Sequence, residues 1–200
     1  MKFGIGQPAA RVEDRQLLVG TGCFSDDVTP GQGLRIAFLR SPHAHARMRT
    51  PDVSAARELA GVRFVATQAD LDADNIGDIE CQFCPPLIGG GKMHLVSKPP
   101  MVRGVIRHAG DIVAMVVAET EDIAQSAIEL IEVEYESMPA VTDIYAAMAD
   151  DAPQLYDCYP NNIAFRWGAG DLDGADQAMK AAIADGCKIV EVDVVNNRIV

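Results

Sequence analysis

Asp111–Glu119 reads DIVAMVVAE, an unbroken apolar run between two acids. Without polar alternation it predicts a strand buried on both faces at the centre of the core, with Val113, Met115 and Val117 on one face. Working outward, Thr120 predicts the cap of a following helix, with Glu121 and Asp122 in the first turn, where the helix dipole favours negative charge. Ile123, Ala127, Ile128 and Ile131 fall on one stripe of that helix. Glu132–Glu136 (EVEYE) then alternates, with Val133 and Tyr135 inward, as a half-buried strand does.

The same order stands upstream. Gly33–Arg40 (GLRIAFLR) predicts a strand bounded by Gly31-Gln32-Gly33 and Ser41-Pro42. A helix over Asp52–Leu59 follows, with Asp52 as its cap and Gly61 closing it, and then a strand at Val62–Thr67 (VRFVAT). Two strand–helix–strand passages predict an α/β domain with two βαβ-type units around one sheet. Between them, Ala69 to Met101 holds Pro85-Pro86, Gly89-Gly90-Gly91 and Pro99-Pro100 without either period. This reads as a long irregular surface loop, of a length that usually contacts a partner or a ligand path.

From Pro139 the chain loosens. A short helix is expected at Ile144–Met148, a linker at Asp150–Pro153 and a short strand at Asn161–Trp167. A helix at Ala175–Ala184, closed by Gly186, leads into a last strand at Ile189–Val200, where Val190, Val192 and Val194 alternate with Glu191 and Asp193. Such a strand is an unsatisfied edge, expected to pair in a concentration-dependent dimer. The division expected is 1–149 for the α/β domain with its N-terminal arm, and 150–200 for a linker and the start of a second domain.

Composition narrows the function classes. A net charge of −12 disfavours nucleic acid, whose phosphates need a basic stripe. No apolar run approaches the ~18 residues of a membrane span, and no signal-peptide core follows Met1. Five cysteines at irregular spacing predict reduced thiols and a cytoplasmic protein. Cys81 and Cys84 form a CxxC that runs into two prolines and lacks two further ligands, so free thiols are expected.

Other motifs also favour plain readings. Gly4-Ile5-Gly6 lacks the strand and third glycine of a dinucleotide fingerprint, and Gly89-Gly90-Gly91-Lys92 is followed by Met93 instead of a hydroxyl residue. Asp171, Asp173 and Asp176 fit an acidic helix start better than a calcium loop. His43 and His45 lack a third ligand and are expected to hydrogen-bond the loop backbone. No metal site and no catalytic residue emerge from local sequence.

Whole segments nevertheless resemble one family. Gln7-Pro8, Arg11-Val12-Glu13-Asp14, Leu17-Leu18-Val19-Gly20-Thr21-Gly22 and Phe24, Asp26 and Asp27 are similar to the opening of bacterial molybdenum hydroxylase large subunits. Arg40-Ser41-Pro42-His43-Ala44-His45-Ala46-Arg47, Asp52-Val53-Ser54-Ala55-Ala56, Pro139-Ala140-Val141-Thr142-Asp143 and Val195-Asn196-Asn197-Arg198 extend the match in order. One departure is Ala109-Gly110-Asp111-Ile112-Val113-Ala114, where the family commonly has a proline; its loss implies a looser loop.

The resemblance, to the xanthine dehydrogenase, aldehyde oxidase and carbon monoxide dehydrogenase family, implies an a/b hammerhead domain. It also implies the beginning of the molybdopterin-binding region from about Tyr156. The implied activity is oxidation of an aldehyde, carbon monoxide or an N-heterocycle such as a purine, with water as oxygen source. The implied cofactor is molybdenum–molybdopterin, as the cytosine dinucleotide, held by the full large subunit and not by this chain alone. An iron–sulfur small subunit and an FAD medium subunit are the implied partners beside the remainder of the large subunit. The alternative is a non-catalytic assembly or small-molecule binding module sharing the fold.

Overall fold

The computed structural model describes residues 6, 10–28, 33–88, 90, 93, 95–96 and 98–195. After a short helix α1 (Asp14–Leu18) come β1 (Arg35–Arg40), β2 (Ala46–Met48), α2 (Ser54–Glu58), β3 (Val62–Thr67) and α3 (Gln68–Ala73). Beyond the long loop lie β4 (Val105–Ile106), β5 (Ile112–Ala118), α4 (Glu121–Glu129), β6 (Tyr135–Ser137), α5 (Ile144–Ala147) and α6 (Leu172–Ala184).

The α/β class and the long loop are as expected, but the strands form two three-stranded sheets instead of one: β1-β5-β3 and β4-β2-β6. Both β1 and β3 run antiparallel to β5 and therefore parallel to each other, with β5 inserted between them. Periodicity identifies a strand but not its partner. The stretch around EVEYE pairs as β6 with β2, in the other sheet from β5. Its entry is fixed by a bridge between Asp52 and Glu132, whose N–H groups each donate to the other's carbonyl.

One face of the first sheet carries the main core. Ala37, Val65, Ala114, Val116 and Ala118 meet Ala56 of α2 and Ala124 and Ala127 of α4, all 5% exposed or less. Small residues on sheet and helix let α4 lie close to the strands. Thr120 caps α4 as expected, its hydroxyl accepting the Ile123 N–H at 3.2 Å. Asp52 does not cap α2; Val53 occupies that position, while Asp52 accepts the Ser54 N–H. Gly61 does end that turn, at φ +89°, with Ile123 packed where a side chain would stand.

β5 is central, yet its two faces differ. Val113 enters a second core cluster with Ala46, Val102 and Ile106. Met115 and Val117 are only half-buried, and their cross-strand neighbours Phe38, Ile36 and Phe64 are 42, 57 and 48% exposed. The expectation of burial on both faces holds for Val113 alone on that side. The uniform run could not reveal that Met115 and Val117 stay half-buried, with no helix packed over them among the described residues.

Further corrections fall in the C-terminal part. Asn161–Trp167 forms no strand: Pro160–Asn162 makes a 3-10 turn, and Trp167 contributes one isolated bridge, to Leu87. No strand forms over 187–195, and 196–200 lie outside the described residues. Strand pairing needs a neighbour, and the described part of that segment meets none. α6 begins at Leu172, earlier than the expected Ala175, so Asp173 and Asp176 lie within it; Asp171 caps it, the carboxylate accepting Gly174 N–H at 2.8 Å, and none of its residues is buried.

Candidate functional site

The best-built polar region surrounds the Arg40–Arg47 turn and the two ends of the long loop. Ser41 is 3% exposed, and its N–H donates to Asp111 O while its own carbonyl accepts Gly110 N–H, both at 2.8 Å. His45, 5% exposed, has Nδ1 2.7 Å from Pro139 O. His43 stacks at 4.8 Å on Tyr135, and its Nδ1 lies 3.3 Å from the Ser137 hydroxyl. The two rings thus fasten the turn to the chain after β6 and do not converge. The expected hydrogen bond to loop backbone is made by His45, whereas His43 bonds a side chain of β6 instead.

The neighbouring turn departs from the family pattern, and its geometry shows the compensation. The Asp111 carboxylate accepts Arg107 N–H at 2.8 Å and His108 N–H at 3.3 Å, and pairs with the His108 ring at 2.9 Å. A looser loop was expected from the missing proline, but these bonds organise it from within.

The long loop is closed at its base by a clasp. Arg103 reaches Asp72 at 2.6 Å and Asp78 at 3.1 Å, joining α3 to the loop's first residues. Gln68, 4% exposed, accepts Met101 N–H at 2.9 Å and donates to Asp72 at 2.8 Å. Ile79 bridges Lys98 just inside the clasp. The loop also contacts its own chain: Leu87 bridges Trp167, and Ile88 N–H donates to Arg166 O at 3.1 Å. Arg107 adds a second tie, donating to Leu155 O at 2.8 Å with its guanidinium 4.3 Å from the Tyr156 ring. The long loop thus ties residues 166–167, and Arg107 ties residues 155–156, to the α/β domain.

None of the clasp residues was singled out by sequence reasoning. Arg103 lies 31 residues from Asp72 and 25 from Asp78, too far for any local pattern. The hydrogen bonds from Arg103, then Gln68, hold the Asp72 carboxyl below its ordinary value. For Asp70, burial works against the charge, but hydrogen bonds from Thr67 and Arg57 outweigh it and the net shift is again downward.

Both folded carboxyls titrate lower than unfolded ones, so the stability they confer is complete above the ordinary value of 3.8 and lost as pH falls through the folded values. Limited proteolysis within 76–98 should therefore accelerate below about pH 4, the ordinary aspartate range. Arg103→Gln should produce the same acceleration at neutral pH. Cleavage rates equal in wild type and variant would show that the clasp does not restrain the loop.

The remaining candidates are dispersed. Cys23, Cys81, Cys84, Cys158 and Cys187 are all free and exposed. A thiol reagent added without reductant should count five. A count of three would reveal a disulfide or a bound metal at Cys81 and Cys84. Gly4 and Ile5 of the GxG, and Gly89, Gly91 and Lys92 of the glycine-rich stretch, lie outside the described residues. Among the described residues, no three His, Cys, Asp or Glu side chains converge as a metal site would require.

Residues 19–139 match the model of the aldehyde oxidase and xanthine dehydrogenase a/b hammerhead domain. The carbon monoxide dehydrogenase large chain of Afipia carboxidovorans is 35% identical over 191 residues, covering 90% of this chain and 22% of that protein. Quinoline 2-oxidoreductase of Pseudomonas putida superposes with a TM-score of 0.61 at 40% identity, over 76% of this chain and 19% of that one. A Cu,Mo-containing CO dehydrogenase gives 0.61 at 33% identity, over 88% and 22%. The chain thus spans about a fifth of the length of these relatives. It belongs to the aldehyde oxidase/xanthine dehydrogenase family of molybdenum hydroxylases and corresponds to the hammerhead-bearing N-terminal part of their large subunit.

Proposed function

We propose that the chain is the structural N-terminal part of a molybdenum hydroxylase large subunit, organising the remainder of that subunit without contributing a catalytic residue. The observation that carries this reading is the contrast between closed and open surfaces. The inner face of the first sheet is sealed by α2 and α4, whereas the opposite face exposes Ile36, Phe38 and Phe64. Along α6, Leu172, Met179 and Ile183 are 62, 51 and 55% exposed at spacings that form one stripe. Val190, Val192 and Val194 beyond it are at least 72% exposed. Apolar surface of this extent marks a protein contact.

On this reading 1–149 is the hammerhead domain with its arm, and 150–200 begins the molybdopterin-binding region. The remainder of the large subunit covers α6 and the valines that follow, in preference to pairing of two copies. On the same reading the molybdenum centre, in its cytosine dinucleotide form, is held by that remainder. When bound, the centre supplies oxidation of an aldehyde, carbon monoxide or N-heterocycle with oxygen from water, and iron–sulfur and FAD subunits accept the electrons. No helix of the described residues is long and apolar enough to cross a membrane, and a cytoplasmic location fits this assignment.

The test is co-production of the remaining large-subunit segment and its partner subunits, with and without residues 1–200. Stoichiometric molybdenum and hydroxylase activity should require both segments, and the 200-residue chain alone should bind none. Molybdenum on that chain alone, or full activity without it, would overturn the reading.

A further inference from the structure

Although the chain carries a net charge of −12, the charged side chains lining one cavity are mostly cations. It measures about 310 Å³ and opens between the base of the long loop, the turn before β5 and Tyr156. Arg40, Lys98, Arg103, Arg107 and His108 line it, against the single carboxylate of Asp111. Arg103 is already matched by Asp72 and Asp78, and the His108 ring is paired with Asp111. The other three have no carboxylate within 4.0 Å among the described residues.

What holds two of them in place is neutral. Arg40 donates to Gly110 O at 2.9 Å, and Arg107 donates to Leu155 O at 2.8 Å while lying against Tyr156. Backbone carbonyls fix a guanidinium without cancelling its charge, so the rotamer entropy of binding is partly met beforehand. Arg107 Nη2, the remaining Arg40 donors and the Lys98 ammonium stay available. Uncompensated cations around a concavity concentrate the field there and attract a counter-anion.

We propose that this cavity is an oxyanion site for a phosphoryl group, either inorganic phosphate or the diphosphate of a small metabolite. Arginine forks match tetrahedral phosphate oxygens through paired charge-assisted hydrogen bonds, and the ammonium adds a point charge. The volume admits a phosphoryl group with a small organic substituent. The proposal concerns only residues of this chain and does not depend on the hydroxylase reading.

Calorimetric titration of the 200-residue chain at fixed ionic strength tests it, with inorganic phosphate, pyrophosphate and acetate as separate probes. Saturable binding of phosphate or pyrophosphate, with acetate much weaker, is the expected result. Tighter binding of pyrophosphate identifies a diphosphate as the source, and equal binding identifies free phosphate. Lys98→Gln, at an exposed position, should weaken the bound probe roughly tenfold, as should Arg107→Gln. Arg49→Gln, outside the cavity, should leave it unchanged. Circular dichroism of each variant separates lost binding from lost fold. Absence of saturable binding, equal affinity for acetate, or a folded Lys98→Gln variant with unaltered affinity would overturn the proposal.

Discussion

Val116→Asp should abolish the cooperative unfolding transition of the chain. Val116 is wholly buried at the centre of β5, opposite Ala37 on one side and Val65 on the other, beneath α4. The strand's backbone already has partners on both edges, so a carboxylate there finds no unoccupied donor. Burying it unpaired costs several kcal/mol, at about 4 kcal/mol or more a large share of the 5–15 kcal/mol typical of a whole domain. Met115→Asp is the informative control, because Met115 lies on the half-open face. Its carboxylate reaches solvent and should shift the melt far less. Equal destabilisation by the two substitutions would mean that the open face is covered in solution.

Ile106→Ala should cost about 2–5 kcal/mol, the usual range for emptying a fully buried aliphatic site. Ile106 is completely inaccessible and packs with Ala46, Val102 and Val113, the last of which belongs to β5. The second cluster therefore joins the two sheets through one strand. Chemical denaturation should show a single transition moved to lower urea, with β2, β4 and β6 gaining amide exchange alongside the first sheet. Exchange confined to the second sheet, with β5 unaffected, would show that the sheets are energetically separate.

How far the sequence disclosed this fold follows from the range of each interaction. The span of β3, the Thr120 cap, the acidic start of α6 and the stripe on α4 all depend on residues within one or two turns, and they were legible. Partner choice was not: β5 inserting between β1 and β3, and β6 leaving for β2, are contacts between remote segments. The terminal alternation of Val190, Val192 and Val194 has the period of a strand, but 187–195 adopts none without a neighbour. A strand pattern states what a segment becomes when it is paired.

The candidate site divides in the same way. The structural role of His43 and His45 could be argued from the absence of a third ligand, and their contacts with Ser137, Tyr135 and Pro139 agree. The long loop was expected to contact a partner or a ligand path, and the contacts described are with Arg166 and Trp167 of its own chain. The Arg103 clasp and the cationic cavity join segments remote in sequence and have no local signature, whereas the Asp111-centred turn lies within residues 107–111.

The central claim is that α6 and the valines after it are completed by the remainder of the large subunit. Amide hydrogen exchange over 172–195 tests it most directly, compared between the 200-residue chain and the assembled subunit. The account predicts rapid exchange in the chain alone, because an exposed helix with no buried residue opens locally at little cost, and strong protection after assembly. Equal protection in both states would contradict it.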